Sequence, residues 1–588
     1  MDEHSGADEN PAGLKFCRRV LHPLLTLGAA ACLLSLIGWT AEIQAWQHWC
    51  TLGIGSVFAL ERGWIFQVLK PRGRERRRLG AHAMLGALVM ILALLLVSPF
   101  TSAAGEWFVA GHVLILFSVI VSGLASMIHH QTRFTARAFH PGLVLIMSFM
   151  SIIVVGALLL KMPRCVIPGE SCSWLDAFFT STSAVCVTGL SVQNTALFFS
   201  HTGQMVILLL IQIGGLGIMT LTFFAAVVLF EGLSLHDRLL LGKMLQEDRL
   251  ARIGQTLAFI VSMTFVCEGI GALVLFMGMD GEIDFRNRLF HSVFHAVSAF
   301  CNAGFSTFPD GMASEVMNGN WIWQGCIMLL IVIGGLGALV NEDLTNWAVG
   351  KVRHLLGREV PYQRLRVHTR LVLVVTAVLI FGGAAVILAS EFLLWNGPEN
   401  GGKILTAMFH SVTARTAGFN TVPMTQIGTL TAQILMILMI IGGSPGGTAG
   451  GLRTTVFAVG LGHLWNQLRM GRRGMIAFNR TIPRESGSQA LGLMVLTGIW
   501  LVANFVLFQI LESGSGISET TLLFELISAF ATVGLSLDLT PTLSEGGKTL
   551  LIVNMFVGRI GLLTVLATLI PVDKRPASGK PMEDILLN

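Results

Sequence analysis

Long apolar stretches alternate with short charged ones along this chain. An α-helix needs roughly 20 apolar residues to cross a bilayer. Stretches of that order lie near 141–161, 252–279, 369–394 and 488–511, and again near 203–231, 321–345, 429–464 and 547–570. Between the two members of each pair sits a shorter amphipathic segment, near 174–187, 287–302, 402–416 and 520–532. Such segments cannot cross, and they are tolerated at membrane depth only when buried in protein or lining water. Each pair therefore predicts a span, a re-entrant helix and a second span. Four more spans are expected near 20–41, 48–69, 80–99 and 107–128, the second interrupted by Glu61 and Arg62.

The re-entrant segments end in related words. Ser183-Ala-Val-Cys-Val-Thr-Gly189, Ser298-Ala-Phe-Cys-Asn-Ala-Gly304, Val412-Thr-Ala-Arg-Thr-Ala-Gly418 and Ser528-Ala-Phe-Ala-Thr-Val-Gly534 place their glycines 115, 114 and 116 residues apart. That period is too long for a solenoid unit. It predicts four copies of one module, each presenting a glycine-centred turn. Four such turns on one axis would form a ring of carbonyl oxygens able to replace a cation's water shell. The candidate ligands are the backbones of Cys186, Val187, Thr188 and Gly189; Cys301, Asn302, Ala303 and Gly304; Arg415, Thr416, Ala417 and Gly418; and Ala531, Thr532, Val533 and Gly534. A lone glycine here would read as a helix C-cap; four in phase favour the ring.

Composition agrees with the span pattern. The 588 residues are 53% hydrophobic and 12% charged, with mean hydropathy +0.71, against about 25% charge in soluble domains. The leader Met1-Asp-Glu-His-Ser-Gly-Ala-Asp-Glu-Asn10 is acidic, unlike a secretory signal, and is expected to be a cytoplasmic tail. Basic clusters at 15–19, 70–78, 133–137, 238–252, 351–370, 469–484 and 574–580 all fall on one side of twelve crossings, as the positive-inside rule requires. The opposite loops carry Glu170, Asp280, Glu282, Asp284, Asp310, Glu399, Glu519, Asp538 and Glu545, which predicts an acidic outer vestibule that concentrates cations.

A second glycine feature follows each turn by 24 to 30 residues: Gly214-Gly-Leu-Gly217, Gly334-Gly-Leu-Gly337, Gly442-Gly-Ser-Pro-Gly-Gly-Thr-Ala-Gly-Gly451 and Gly558-Arg-Ile-Gly561. In the third, Gly442, Gly443, Gly446, Gly447, Gly450 and Gly451 with one proline predict an unwound loop at membrane depth. A phosphate-binding loop would need Gly-Lys-Ser/Thr after a strand, and Gly450-Gly-Leu-Arg453 lacks it. Arg559 replaces a glycine of this feature. An arginine inside a span costs about 2.5–3.5 kcal/mol unless it faces protein or water. That points to a charge in the ion path beside loop 442–451, with a packing role as the alternative. Arg415 is expected to point back into protein, toward an acid such as Glu525. His291 and His295, spaced i, i+4, read as packing residues, since no H-E-x-x-H set accompanies them. The nine cysteines include no C-x-x-C pair; Cys165 and Cys172 share one polar loop, where a disulfide and two free thiols both remain open.

The first and third turns, Thr182-Ser-Ala-Val-Cys-Val-Thr-Gly-Leu-Ser191 and Ser411-Val-Thr-Ala-Arg-Thr-Ala-Gly-Phe-Asn-Thr421, resemble filter segments of the Trk/Ktr/HKT superfamily of potassium transporters, and the resemblance covers roughly 140–572. It implies a pore-forming subunit, a homodimer with one pore per protomer, a cytosolic ring of nucleotide-binding (RCK-type) regulatory subunits, and an intrapore arginine gate at Arg559. Glycine at all four filter positions implies preference for K⁺ as the transported ion, where serine in the first goes with Na⁺.

The expected fold is an all-α polytopic membrane protein with four helix–pore loop–helix modules around a pore. The divisions are a cytoplasmic tail 1–19, a transmembrane extension 20–138, modules at 139–245, 246–362, 363–480 and 481–572, and a cytoplasmic tail 573–588. The expected role is K⁺ uptake across the bacterial inner membrane, with lipid contact and no nucleic acid. Na⁺- or H⁺-coupled symport is the alternative, to which Glu268, a carboxylate deep in a span, is the pertinent residue. An intramembrane hydrolase is disfavoured, for the G-x-S-x-G spacing of Gly442-Gly-Ser-Pro-Gly446 lies within an apolar span and not on a strand-to-helix elbow.

Overall fold

The computed structural model describes residues 141–217, 253–279, 283–314, 320–357, 364–394, 402–469 and 475–569, the helix α1 (Trp49–Leu60), and the single positions 25, 28, 29, 32, 115 and 220. Most of the expected N-terminal extension, both tails, the basic clusters at 15–19, 70–78, 133–137, 238–252 and 574–580, and the end of the 203–231 span lie outside these residues.

A three-part unit recurs along the described chain. α2 (Pro141–Leu160), α3 (Trp174–Val185) and α4 (His201–Leu216) come first. α5 (Ile253–Met277), α6 (Phe285–Phe300) and α7 (Trp321–Leu336) follow, with α8 (Ala338–Leu355) continuing α7. α9 (Val367–Leu394), α10 (Gly402–Thr413) and α11 (Thr429–Ile441) lead into α12 (Thr454–Leu468). α13 (Arg484–Leu511), α14 (Glu519–Phe530) and α15 (Glu545–Ile560) end in α16 (Leu562–Leu569).

Two environments separate the helices. α5, α9 and α13 contain apolar stretches of 24, 24 and 28 residues long enough to span, about 36–42 Å at 1.5 Å per residue. Phe265, Ile270, Val378, Phe381, Ile499 and Val502 stand exposed on them, an arrangement stable in hydrocarbon but not in water. The short helices α3, α6, α10 and α14 are the reverse. Each is too short to cross and carries a fully buried phenylalanine, Phe179, Phe294, Phe409 and Phe524, so each is held by packing inside the protein. Ser173, Asp284 and Ser518 cap three of them, accepting backbone N–H groups from Asp176, Arg286 and Thr521. Their C-terminal ends, which carry the helix dipole's partial negative charge, lead into the glycine turns.

The second long helix of each unit breaks at a glycine with positive φ: Gly217 at 76°, Gly337 at 88°, Gly442 at 66° and Gly561 at 96°. Residues with a Cβ rarely adopt this conformation. At Gly337 the axis turns by 105° between α7 and α8.

One short hairpin stands among the helices of the described residues. Met475–Ala477 and Arg480–Ile482 form a two-stranded antiparallel hairpin, β1–β2, inside the basic stretch 469–484. Phe478 and Asn479 turn it with φ of 49° and 62°, the left-handed pair of a type I′ hairpin. The usual Asn-Gly signal is absent there, and Asn alone tolerates the left-handed position.

In the connection between α2 and α3, Val166 bridges Phe199, and Lys161 donates to the Cys172 carbonyl. Cys165 and Cys172 are both buried free thiols, and burial pushes both up to about 11. Only the thiolate attacks electrophiles. Iodoacetamide at pH 8 should therefore alkylate these two about 100-fold more slowly than an ordinary cysteine, with the rate rising tenfold per pH unit. Mass spectrometry of labelled protein checks this; recovery of a Cys165–Cys172 crosslink would contradict it.

Candidate functional site

The four glycine turns repeat one backbone conformation. After the last helical turn, Cys186, Cys301 and Ala531 remain right-handed. The next positions reverse: φ is 56° at Val187, 61° at Asn302, 79° at Thr416 and 50° at Thr532. Two residues on, φ is again positive, 97° at Gly189, 68° at Gly304, 80° at Gly418 and 95° at Gly534. Left-handed conformations at β-branched residues cost about 1–3 kcal/mol each and persist only where surroundings over-determine them. Val187, Thr416 and Thr532 are all fully buried, so packing holds them there.

The turns close a circle. A Cβ added to Gly189 would lie 2.5 Å from the Ala303 carbonyl oxygen and 3.2 Å from the Gly304 Cα. One added to Gly304 would lie 2.7 Å from the Ala417 oxygen and 2.9 Å from the Gly418 Cα. One added to Gly418 would fall on the Val533 oxygen, and one on Gly534 would fall on the Thr188 oxygen and lie 2.9 Å from the Gly189 Cα. Each turn thus abuts the next, and the last abuts the first. A side chain at any of the four glycines would push a neighbouring backbone outward.

Hydroxyls staple each turn to the helix before it. Ser183 Oγ accepts the Gly189 N–H at 3.1 Å, and Ser528 Oγ accepts the Gly534 N–H at 3.1 Å. Ser298 Oγ donates to the Phe305 carbonyl at 2.8 Å, and Thr413 Oγ1 donates to the Phe419 carbonyl at 2.8 Å. Sequence reasoning quoted these residues and assigned them no role. The signal was a serine six positions before three of the glycines; the third unit has Val412 there and moves the hydroxyl on by one.

The second glycine feature packs beneath. Cβ atoms at Gly214, Gly334 and Gly558 would fall on the carbonyls of Val185, Phe300 and Phe530, the last residues of α3, α6 and α14. These glycines let α4, α7 and α15 approach the ends of the short helices. Loop 442–451 is non-helical, with positive φ at Gly442, Gly446 and Gly451. Its backbone is nonetheless partnered: Ser444 N–H donates to Gly335 at 3.2 Å, and Gly446 accepts from Ala338 at 3.2 Å. Thr454 N–H donates to Gly443 at 2.8 Å. Gly450 lies against the Thr532 side chain and the Ala531 carbonyl, and Gly443 and Gly447 face Ala449 and the Gly335 carbonyl.

Arg559 reaches this loop. Its guanidinium donates to the Thr448 carbonyl and, at 2.6 Å, to the Gly214 carbonyl. It therefore joins α15 to the loop of the third unit and to α4 of the first. Arg415 points back into protein as expected, but its partner is not Glu525. Its guanidinium is buried and donates to Thr376 on α9 at 3.3 Å, away from the circle of glycines. Glu525 accepts instead from Ser536 and, at 3.1 Å, from Thr540. Both hydroxyls lie in the segment following its own glycine turn, which satisfies the carboxylate locally.

His291 contacts Thr307 at 2.6 Å; His295 contacts the His291 carbonyl at 2.8 Å and Ser306 at 3.0 Å. Both rings stack on Phe308, and these hydrogen bonds tie the second turn's outer limb to α6. Of the acids expected to face the outer vestibule, Asp280, Glu282 and Glu399 lie outside the described residues. Lys548 approaches Asp176 at 3.9 Å.

Comparison with known proteins matches this arrangement to one family. The TrkH family, described as a cation transport protein, matches residues 109–575. The Ktr system potassium uptake protein B of Vibrio alginolyticus is 35% identical over 74% of this chain and 92% of its own length. The potassium/sodium uptake protein NtpJ of Enterococcus hirae is 34% identical over 75% of this chain and 95% of its own. The crystal structure of the potassium transporter TrkH from Vibrio parahaemolyticus superposes with a TM-score of 0.59 at 16% identity, covering 96% of this chain and all of that one, and so shares the fold. The chain accordingly belongs to the TrkH family of cation transport proteins, as a multi-pass membrane transport subunit of the Trk/Ktr type and not an enzyme.

Proposed function

We propose that this chain takes K⁺ across the bacterial inner membrane through a filter of backbone carbonyls, and that loop 442–451 and Arg559 gate the path below it. The observation that carries this reading is the closed succession Gly189, Gly304, Gly418, Gly534, each against the next turn's carbonyl. Alternating φ signs along each turn allow successive carbonyls to face one side. Four such stacks supply oxygen ligands in place of the hydration shell. The candidate carbonyls are those of residues 186–189, 301–304, 415–418 and 531–534; Arg415 contributes backbone only. An inside-negative potential supplies about 2.3 kcal/mol per charge per 100 mV, enough to concentrate K⁺ without ATP hydrolysis by this chain.

Arg559 holds a positive charge at the level of the broken helices and is hydrogen-bonded to the loop, so loop and charge block passage together. Opening would require the Thr448 contact to break, which a partner acting from the cytosolic side can drive. The relatives are named as components of Ktr and Trk systems. A homodimer with a cytosolic nucleotide-binding RCK-type ring fits that reading, as do the modules at 139–245, 246–362, 363–480 and 481–572.

Two observations favour a second reading. One relative is named for potassium and sodium uptake, and Glu268 lies buried in α5 with Cys301 Sγ 3.7 Å from its carboxylate. Coupled uptake with Na⁺ or H⁺ predicts K⁺ flux that follows an imposed Na⁺ or pH gradient in vesicles. Passive uptake predicts flux that follows the K⁺ gradient and voltage alone.

Substitution of Gly189 by Ser places a side chain at φ of 97° against the Ala303 carbonyl. It should lower K⁺-over-Na⁺ selectivity at least about tenfold, a barrier change of about 1.4 kcal/mol, measured by ion competition against Rb⁺ uptake. Unchanged discrimination would remove the first turn from the filter. Arg559→Ala removes one positive charge from the path, and uptake without any cytosolic partner should rise about tenfold, since about 1.4 kcal/mol of repulsion is one decade. Unaltered flux through folded protein would remove Arg559 from the gate.

A further inference from the structure

α8 is built unlike the other helices. It follows the apolar helix α7 after a 105° turn at Gly337, so where α7 crosses the bilayer α8 runs along its plane, about 27 Å long at 1.5 Å per residue. Its first turns are pinned. Asn341 donates to the Ile333 carbonyl at 2.9 Å, satisfying the broken end of α7. Asp343 accepts from Thr369 at 2.7 Å and from the Arg366 N–H at 2.9 Å. Thr256 donates to Glu342 at 3.4 Å. The acids of α8 are thereby engaged with α5 and the start of α9.

Beyond this the helix is bare. From Thr345 to Gly357 every residue except Gly350 is exposed. That half carries Lys351, Arg353 and His354 and no acid. Leu344, Ala348, Val349, Val352, Leu355 and Leu356 share one side at helical spacing, with Lys351 and then Trp347 along one edge and Arg353 at the other; Asn346, Gly350 and His354 lie opposite. Val352 is 55% and Leu355 78% exposed. Lys351 Nζ sits 5.1 Å from the Trp347 ring, a pairing that suits a tryptophan at headgroup depth with a lysine stem alongside. An amphipathic, basic helix lying in the membrane plane has the form of an interfacial binder of anionic lipid. A soluble partner, by contrast, would leave the apolar side in water each time it dissociated.

The same helix begins at the loop. Gly337 faces the Pro445 carbonyl, where an added Cβ would lie 2.6 Å away. Ala338 N–H donates to Gly446, and Ser444 N–H donates to Gly335. We propose that the exposed half of α8 docks on the anionic face of the membrane, and that this seating sets the position of loop 442–451 through the Gly337 junction, making transport depend on anionic lipid. The transport half of this proposal rests on the gating reading above; the docking half does not.

The test reconstitutes full-length protein in vesicles of phosphatidylcholine, alone or mixed with phosphatidylglycerol. The fluorescence lost in Trp347→Phe relative to wild type reports Trp347, and brominated phosphatidylglycerol should quench it. Rb⁺ uptake should increase severalfold with phosphatidylglycerol. Lys351→Gln/Arg353→Gln should keep wild-type uptake in phosphatidylcholine and need about 30-fold more anionic lipid for the same increase, two charges at about fivefold each. A Trp347 signal quenched by aqueous acrylamide and untouched by brominated lipid would identify a soluble-partner surface and overturn the proposal. So would a double variant that responds to phosphatidylglycerol as wild type does. Absence of Rb⁺ uptake in every vesicle would count against the transport reading, while the quenching result would still decide the docking.

Discussion

Four separate stretches of backbone can meet around one axis only where no side chain stands between them. In this protein that requirement falls on Gly189, Gly304, Gly418 and Gly534, each of which faces the main chain of the next turn closely enough that a methyl group would not fit beside it at its present distance. Much else follows from holding these positions. The short helices α3, α6, α10 and α14 are anchored by buried phenylalanines and end at the turns. Serine and threonine hydroxyls tie the turns back to those helices. The left-handed residues two positions earlier are held by burial on all sides. Removing water from an ion is costly unless replacement ligands are already in place, and in the proposed filter this construction would supply them before an ion arrives.

A second constraint is that polar groups at membrane depth need partners. Loop 442–451 breaks a helix in the middle of the protein, yet its N–H and carbonyl groups find the broken end of α7, the start of α8 and the Arg559 guanidinium. The breaks at Gly337 and Gly442 thus meet, one unit's orphaned backbone against another's. Arg559 has the same logic: it reaches two carbonyls from different units rather than a carboxylate. Carbonyl partners hold a guanidinium less tightly than an ion pair in a dry site would, which suits the opening proposed for this contact.

Much of this was legible from residues alone. Span length against re-entrant length separated α5, α9 and α13 from α3, α6, α10 and α14, because hydropathy and chain length report directly on membrane crossing. The glycine period located the turns, since few positions in a membrane chain need glycine for backbone reasons at a constant interval. What stayed hidden depended on three-dimensional neighbours. Glu525 has no sequence mark distinguishing a distant arginine from nearby hydroxyls as its partner, and Ser536 and Thr540 take it. The hairpin at Met475–Ile482 turns on Phe478-Asn479, a pair without the glycine that usually reveals such a turn. The 105° bend at Gly337 was legible as a glycine cluster but not as a change of direction, because the loop packed against it comes from another unit.

The most direct test of the central claim is to locate the ion. Anomalous diffraction from crystals grown in Rb⁺ or Tl⁺ should show density on the axis enclosed by the carbonyls of Thr188, Ala303, Ala417 and Val533, within ligand distance of all four turns. Density confined to the outer loops, or bound to one turn alone with the axis empty, would contradict it.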